Sequence, residues 1–459
     1  MEAIESIIGK MVGILWGPAM LVLLVGGGLF ISIRIGFIQV KYFNYMWHQT
    51  FGKLFSSKKS VDDSKGEGDL SPFQAVTTAL ASTVGAANIV GVPVAIFFGG
   101  PGAVFWMWVT AVVGMGTKYA EVVLGVLYRE KNEKGEYVGG PMYYLKNGLK
   151  QKWLGTTYSF IFMFTILSGI MVQANSAAGS AETLGIDPVF SGIFITGVVG
   201  LIVFGGVKRI GKVSEKFVPL MASLYVLGSL VIIFANIGKV PSVIAMIFSD
   251  AFTGRAAVGG FAGSTIAITL RNGMARGAYS NEAGMGSAPI AHASAKTDHP
   301  VRQGMWGMFS VFFDTILICT VTALVILTTG IWKVKGIEAS GMTAEAFSNF
   351  FGPIGGSVVS VSILLFVIST IYVILFYGER LADYLFGYKF SIFMRVLYLG
   401  ACFVGAIGGL KFLWSFLDLL FGLAVIPNMI GVLGLSGVVA SQTKEFFTSE
   451  DYYLKDISK

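Results

Sequence analysis

Leu80-Ala-Ser-Thr-Val-Gly-Ala-Ala-Asn-Ile-Val-Gly-Val-Pro-Val94 is the stretch that decides the fold. Ser82, Thr83, Gly85, Asn88, Gly91 and Pro93 crowd into the middle of an otherwise apolar segment, 72–98. Ser and Thr compete for backbone hydrogen bonds, Gly weakens a helix and Pro93 lacks a donor. Unwinding here would free carbonyls and amides at mid-membrane depth, which is tolerable only where they line a cavity. Freed carbonyls suit a cation, and the N-terminus of a second half-helix suits a carboxylate. A Gly-rich packing face between helices is the competing reading of the same spacing.

The rest of the chain supplies the membrane. Of 459 residues, 54% are hydrophobic and 13% charged, against about 25% charged in a soluble domain. Spans of about twenty apolar residues fall near 12–33, 72–98, 101–128, 155–180, 189–206, 214–236, 256–285, 304–330, 355–378, 392–409 and 412–440. The expected fold is therefore an all-α integral membrane protein of about eleven transmembrane helices. With the N-terminus outside, the inner segments hold 26 Lys and Arg and the outer ones six, so the positive-inside rule places the N-terminus outside and the C-terminus in the cytoplasm. The net charge of +7 is thus a topology signal, not a nucleic-acid surface. No signal peptide is read at the start. Cys319 and Cys402 lie in apolar segments and read as small buried hydrophobes. The three His residues fall in cytoplasmic segments and read as no metal site.

Organisation follows from the punctuation. An extra N-terminal helix occupies 1–40, a charged, Ser/Gly-rich cytoplasmic linker 41–70 and a cytoplasmic tail 441–459. The ten spans between divide into 71–238 and 239–440, and each half opens with a Gly-interrupted span, the pattern that marks a transporter site. No P-loop, HExxH or GxSxG occurs, so neither ATP-driven transport nor an intramembrane enzyme is expected.

The stretch Gly99-Gly-Pro-Gly-Ala-Val-Phe-Trp-Met-Trp-Val-Thr-Ala-Val-Val-Gly114 resembles the fingerprint of the alanine or glycine:cation symporter family, the sodium:alanine symporters. Arg276-Gly-Ala-Tyr-Ser-Asn-Glu-Ala-Gly-Met-Gly-Ser-Ala-Pro289, His299-Pro-Val-Arg-Gln-Gly304 and Tyr377-Gly-Glu379 resemble its other hallmarks. The resemblance implies the leucine-transporter (LeuT) fold class, a 5+5 inverted repeat, here with the extra N-terminal helix. It also implies a sodium-coupled symporter, not an enzyme, in the cell membrane of a prokaryote. The implied substrate is a small neutral amino acid (L-alanine, with glycine or D-alanine open), and Na⁺ is the coupling ion with no other cofactor. Matching on Asn88 implies unwinding over Ala81 to Ala87, with the amides of Gly85, Ala86 and Ala87 on the substrate carboxylate. Thr83 and Asn88 join that pocket. Ala81 and Val84 carbonyls would meet Na⁺ together with Phe366, Ser369 and Thr370, whose spacing matches the later span of the fold class. Ser369 and Thr370 bonding back to their own helix is the competing reading.

For the second interruption, Gly259-Gly-Phe-Ala-Gly-Ser264-Thr265 is favoured, making Phe261, Ser264 and Thr265 pocket candidates. The rival, Arg271 to Arg276, would put two cations deep in the bilayer and is placed towards the cytoplasm. Gln173 and Asn175 could bind substrate or tie helices together. Asp314 is an intramembrane carboxylate, expected to tune ion binding or to pair with Arg271 or Arg276; a proton-coupled carrier using Asp314 as relay is the alternative function. Arg276 and Glu282 are candidates for a gating ion pair, and Lys118 and Glu121, three apart, are expected to pair. The oligomeric state is left open.

Overall fold

The computed structural model describes residues 2–52, 66–182, 184–253, 266–408 and 412–457. Among them the only strands are a short antiparallel hairpin, Glu130–Lys131 with Tyr137–Val138. Everything else that is regular is helical.

Seven helices are long and apolar enough to cross a membrane by themselves: Ala103–Leu127, Lys152–Glu182, Gly206–Ala235, Pro300–Thr329, Pro353–Phe386, Tyr388–Ile407 and Leu413–Gly434. Two more candidates are bent pairs, Glu5–Leu15 with Pro18–Arg34 at 42° and Pro72–Thr83 with Ala87–Gly99 at 48°. Each bend has a local cause. Pro18 starts its helix behind Gly17, and the second pair breaks within the Ser/Gly-rich stretch quoted above. The apolar helix Pro188–Val203 is shorter than a full span, and the expected span 256–285 is described only from Ile266. Large apolar side chains such as Phe190 (71% exposed), Leu201 (72%) and Ile354 (71%) face outward from the bundle, as lipid contact requires.

The first half of the interrupted helix starts with a capping box. Gln74 N–H donates to Ser71 Oγ, and Ser71 N–H to Gln74 Oε1, both at 3.1 Å, with Pro72 at the first helical position. This satisfies two amide donors at the helix start and fixes the chain's point of departure.

Small residues let the Ala103–Leu127 helix sit at the centre. A Cβ on Gly304 would lie 2.7 Å from Tyr119 and Val123, and one on Gly273 would lie 2.3 Å from the Ala103 carbonyl oxygen. Close backbone approach at small residues is the usual device of membrane bundles. Gly273→Val is therefore expected to force two backbones apart and cost about 1–3 kcal/mol, read as a lower unfolding temperature in detergent. Gly400→Ala, where a Cβ meets nothing within 4 Å, is expected to leave it unchanged.

Much of the segment expected to be linker is ordered. Ile38–Lys41, Phe43–Trp47 and His48–Gly52 are helical turns. Leu70 N–H donates to the Ser294 carbonyl at 3.0 Å and Lys296 N–H to the Leu70 carbonyl at 2.7 Å. The C-terminal tail is tied to the same end. Asp456 Oδ2 accepts from Arg302 Nη1 at 2.6 Å and from Tyr45 Oη at 2.5 Å, and Arg302 Nε also reaches Asp298 Oδ1 at 2.8 Å.

Candidate substrate and cation site

The first break is shorter than the stretch Ala81 to Ala87 expected from the sequence. Helix persists through Thr83, Val84 turns extended (φ −75°, ψ 95°), and a π-helical turn Ala87–Gly91 leads into Val92–Gly99. Asn88 explains why so few residues suffice. Its Oδ1 accepts the Gly85 N–H at 2.8 Å, while its own N–H donates to the Gly85 carbonyl at 3.2 Å. The side chain thus does the work of a cap inside the break.

Four oxygens converge beside it. Thr370 Oγ1 lies 3.1 Å from the Ala81 carbonyl oxygen and 3.0 Å from that of Phe366; Ser369 Oγ lies 3.4 Å and 2.7 Å from the same two. Bonding back to the helix and meeting the first break are therefore not alternatives; the hydroxyls do both. An oxygen set without formal charge fits a hard monovalent cation; Val84, the fifth expected member, is buried in the break, and its carbonyl has no contact with these four oxygens among the described hydrogen bonds.

A cavity of about 50 Å³ opens alongside. Of the expected residues, Thr83, Gly85, Ala86, Ala87, Gln173 and Thr370 line it, with Glu282, Tyr279, Phe421 and Leu417 completing the wall. Asn88 does not line it. Its Nδ2 turns away to donate to Asp314 Oδ1 at 2.7 Å, because its Oδ1 is committed to the break. Asn175 donates to the Gly408 carbonyl at 2.8 Å and serves as a tie between helices. Phe261, Ser264 and Thr265 lie outside the described residues.

The second interruption within the described residues is not at Arg271 to Arg276, which is continuous helix to Asn281. It lies between Asn281 and the turn Ala288–His292. Glu282, Gly284 and Gly286 have φ of 54°, 91° and 79°; the two glycines accept this readily, and Glu282 is strained. The break is held from outside. Glu121 Oε1 accepts from Gly286 N–H at 3.0 Å and Asn428 Nδ2 at 2.6 Å, Asn428 Nδ2 also reaches the Gly284 carbonyl at 2.8 Å, and Tyr158 Oη donates to the Met285 carbonyl at 3.1 Å.

Three expected ion pairs do not form. Glu121 is spent on the break, and Lys118, fully buried, has no hydrogen-bond partner at Nζ. Glu282 accepts instead from Ser287 Oγ. Arg276 lines a separate vestibule of about 630 Å³ with Arg271, Asn272, Asp418, Phe97 and Phe98. Arg271 and Arg276 share that space with Phe97 and Phe98, at the end of the first interrupted helix that the sequence reading put outside, whereas the same reading put the two arginines towards the cytoplasm. A vestibule of this size, with Asp418 in its wall, lowers the cost of placing cations there compared with hydrocarbon. With both counted outside, the basic asymmetry remains, at 24 against eight.

Asp314 pairs with neither arginine. Its carboxylate accepts from Asn88 Nδ2 (2.7 Å), Ser280 Oγ (2.7 Å) and Thr315 Oγ1 (2.8 Å), tying both interrupted helices to the π-helical stretch Phe312–Cys319. The sequence reading missed Tyr279 and Asn428, and gave Glu121 only as a partner for Lys118. The alternation of Gly284 and Gly286 after Asn281 was the available signal for the second break.

Comparison with known proteins agrees with this architecture. The profile of the Sodium:alanine symporter family matches residues 1–457. The uncharacterized transporter YflA of Bacillus subtilis is 51% identical over 448 residues, covering 97% of this chain and 94% of that protein. The sodium/alanine symporter AgcS of Methanococcus maripaludis is 42% identical over 450 residues, covering 96% and 97%. A manganese transporter from Eremococcus coleocola shares the fold, with a TM-score of 0.55 at 11% identity over 88% of this chain and 94% of that one. This chain is thus a multi-pass helical membrane transporter, not an enzyme, and it belongs to the sodium:alanine symporter family.

Proposed function

We propose that the protein imports a small neutral amino acid, L-alanine with glycine and D-alanine in the same class, together with Na⁺ by alternating access. The observation that carries this is the position of Thr370, which belongs both to the four-oxygen cluster and to the cavity wall. A cation there and a substrate in the cavity share a residue, so each organises the site for the other. The cavity is complementary to a zwitterion. The amides of Ala86 and Ala87 stand at the start of a helical half, where a carboxylate is favoured, the Gly85 amide being held by Asn88 Oδ1, and the Glu282 carboxylate supplies a partner for the ammonium. About 50 Å³ is room for a handful of heavy atoms, and Leu417, Ile374 and Phe421 close it around a short side chain.

Tyr279 lines both the cavity and the vestibule and packs edge-on against Phe421 at 5.9 Å. This aromatic pair, in place of an Arg276–Glu282 ion pair, is the gate between substrate and vestibule in the proposed arrangement: eleven spans, N-terminus outside, with 71–238 and 239–440 as inverted repeats. A relay through Asp314 gains no support, since its oxygens are occupied by three donors.

Uptake of labelled L-alanine into liposomes holding the purified protein, under an inward Na⁺ or K⁺ gradient, tests the reading. Uptake that requires Na⁺ is expected, and equal uptake in both salts would overturn sodium coupling. Glu282→Gln is expected to raise the half-saturating alanine concentration about 10- to 100-fold, the loss of one charge-assisted contact, while lowering discrimination against lactate, which has no ammonium.

A further inference from the structure

The interior holds a second set of charges that sodium and substrate do not use. Lys118 and Glu121 stand three residues apart on the Ala103–Leu127 helix, both fully buried. Lys118 Nζ and Glu121 Oε2 have no hydrogen-bond partner among the described residues, and nor do Nε2 of His292 and Oε1 of Gln303. His292 Nδ1 and Gln303 Nε2 bond to each other at 2.6 Å, on the two helices that pack beside Gly125 and Gly307. Lys118 acts electrostatically on Glu121, Glu282, His292 and Asp314. Tyr144 and Tyr158 face Glu121 from the other side.

Charge counting among these groups, of which Glu121, Asp314 and Lys118 are fully buried and Glu282 lines the cavity, leaves a deficit. Three carboxylates, Glu121, Glu282 and Asp314, face one ammonium, and buried charge must be compensated. A zwitterionic substrate adds no net charge, and the Na⁺ proposed at the Thr370 cluster supplies one further positive charge. The remaining one is missing, and the one carboxylate oxygen of the three residues that is buried without a donor is Glu121 Oε2. A second Na⁺ fits poorly beside the Lys118 ammonium, whereas a proton needs only that oxygen.

We propose that Glu121, poised by Lys118, is a proton-binding site whose occupancy is linked to the transport cycle. The proton comes from water on whichever side is open, forms an O–H bond at Oε2, and returns to water when that bond breaks; no redox change is involved. The link to transport is the other oxygen of the same carboxylate. Glu121 Oε1 holds Gly286 N–H and Asn428, and Asn428 holds the Gly284 carbonyl. Hydrogen bonds to an ionised carboxylate are about twice as strong as neutral ones, so protonating Glu121 loosens the second break, whose Glu282 lines the substrate cavity. The proposal rests on the substrate reading for that link, but not for the proton site itself.

Two measurements separate these. In liposomes with Na⁺ and voltage held constant, alanine uptake and lumenal pH are followed together across about pH 5.5–8.5. Wild type is expected to move protons with alanine and to show a pH-dependent rate. In Glu121→Gln, whatever its rate of Na⁺-dependent uptake, a flat pH profile and no proton movement are expected, and Lys118→Met is expected to shift the profile to higher pH. Wild-type alanine uptake with a flat profile and no proton flux overturns the link; failure of Na⁺-driven alanine uptake instead overturns the substrate reading. Independently of any substrate, infrared difference spectra of the purified protein across a pH jump are expected to show a carboxylic C=O band that Glu121→Gln lacks. A spectrum unchanged by that substitution overturns the proton site.

Discussion

Thr370→Ala is expected to weaken Na⁺ activation of alanine uptake by about 10- to 150-fold, with partial recovery at high Na⁺. The hydroxyl is one of four gathered oxygens and stands 3.1 Å from the Ala81 carbonyl. Losing a neutral ligand to a charged group costs about 1.5–3 kcal/mol, and each 1.4 kcal/mol is about tenfold in affinity. Thr370→Ser restores the oxygen and is expected to restore most of the Na⁺ response; that contrast separates the ligand role from packing. Because Thr370 also walls the cavity, alanine affinity should fall together with Na⁺ affinity in Thr370→Ala. Unchanged Na⁺ dependence in uptake assays would remove the cation site from this position.

The second large effect is on stability. Asp314→Ala leaves Asn88 Nδ2, Ser280 Oγ and Thr315 Oγ1 without their shared acceptor in a fully buried place. Stripping one partner from a buried charged network costs about 3–5 kcal/mol, so a clear fall in the unfolding temperature and loss of uptake are expected. Asp314→Asn keeps the shape but turns one acceptor oxygen into a donor against groups that already donate, and is expected to be intermediate. A variant as stable as wild type would mean that Asp314 does not tie the interrupted helices.

Much of this was legible in one dimension because the bilayer imposes one-dimensional rules. Most of the expected spans are helical over most of their described length, and seven helices are long and apolar enough to cross alone, since a backbone in hydrocarbon must satisfy its own hydrogen bonds. The first break was legible too, from Ser82 to Pro93, because local propensity alone disfavours helix there. So was the meeting of Ser369 and Thr370 with Ala81, though through family resemblance, as the residues are some 290 positions apart. What failed was pairing. Lys118 with Glu121, Arg276 with Glu282, and Asp314 with an arginine were all inferred from opposite charge and nearness in sequence or depth. In the structure Glu121 faces the break after Asn281, Arg276 lines the vestibule and Asp314 faces three neutral donors.

The sequence by itself determined the membrane class, the helical spans, the first interruption and the family, because hydropathy, helix-breaking residues and motifs are properties of short stretches. Only the tertiary structure decided that the described residues break after Asn281, which residues wall the cavity and what each buried charge meets. Those depend on rotation about helix axes and on contacts between distant segments. A carboxylate that can choose between a lysine one turn away and a backbone amide 165 residues on is settled by packing, not by spacing.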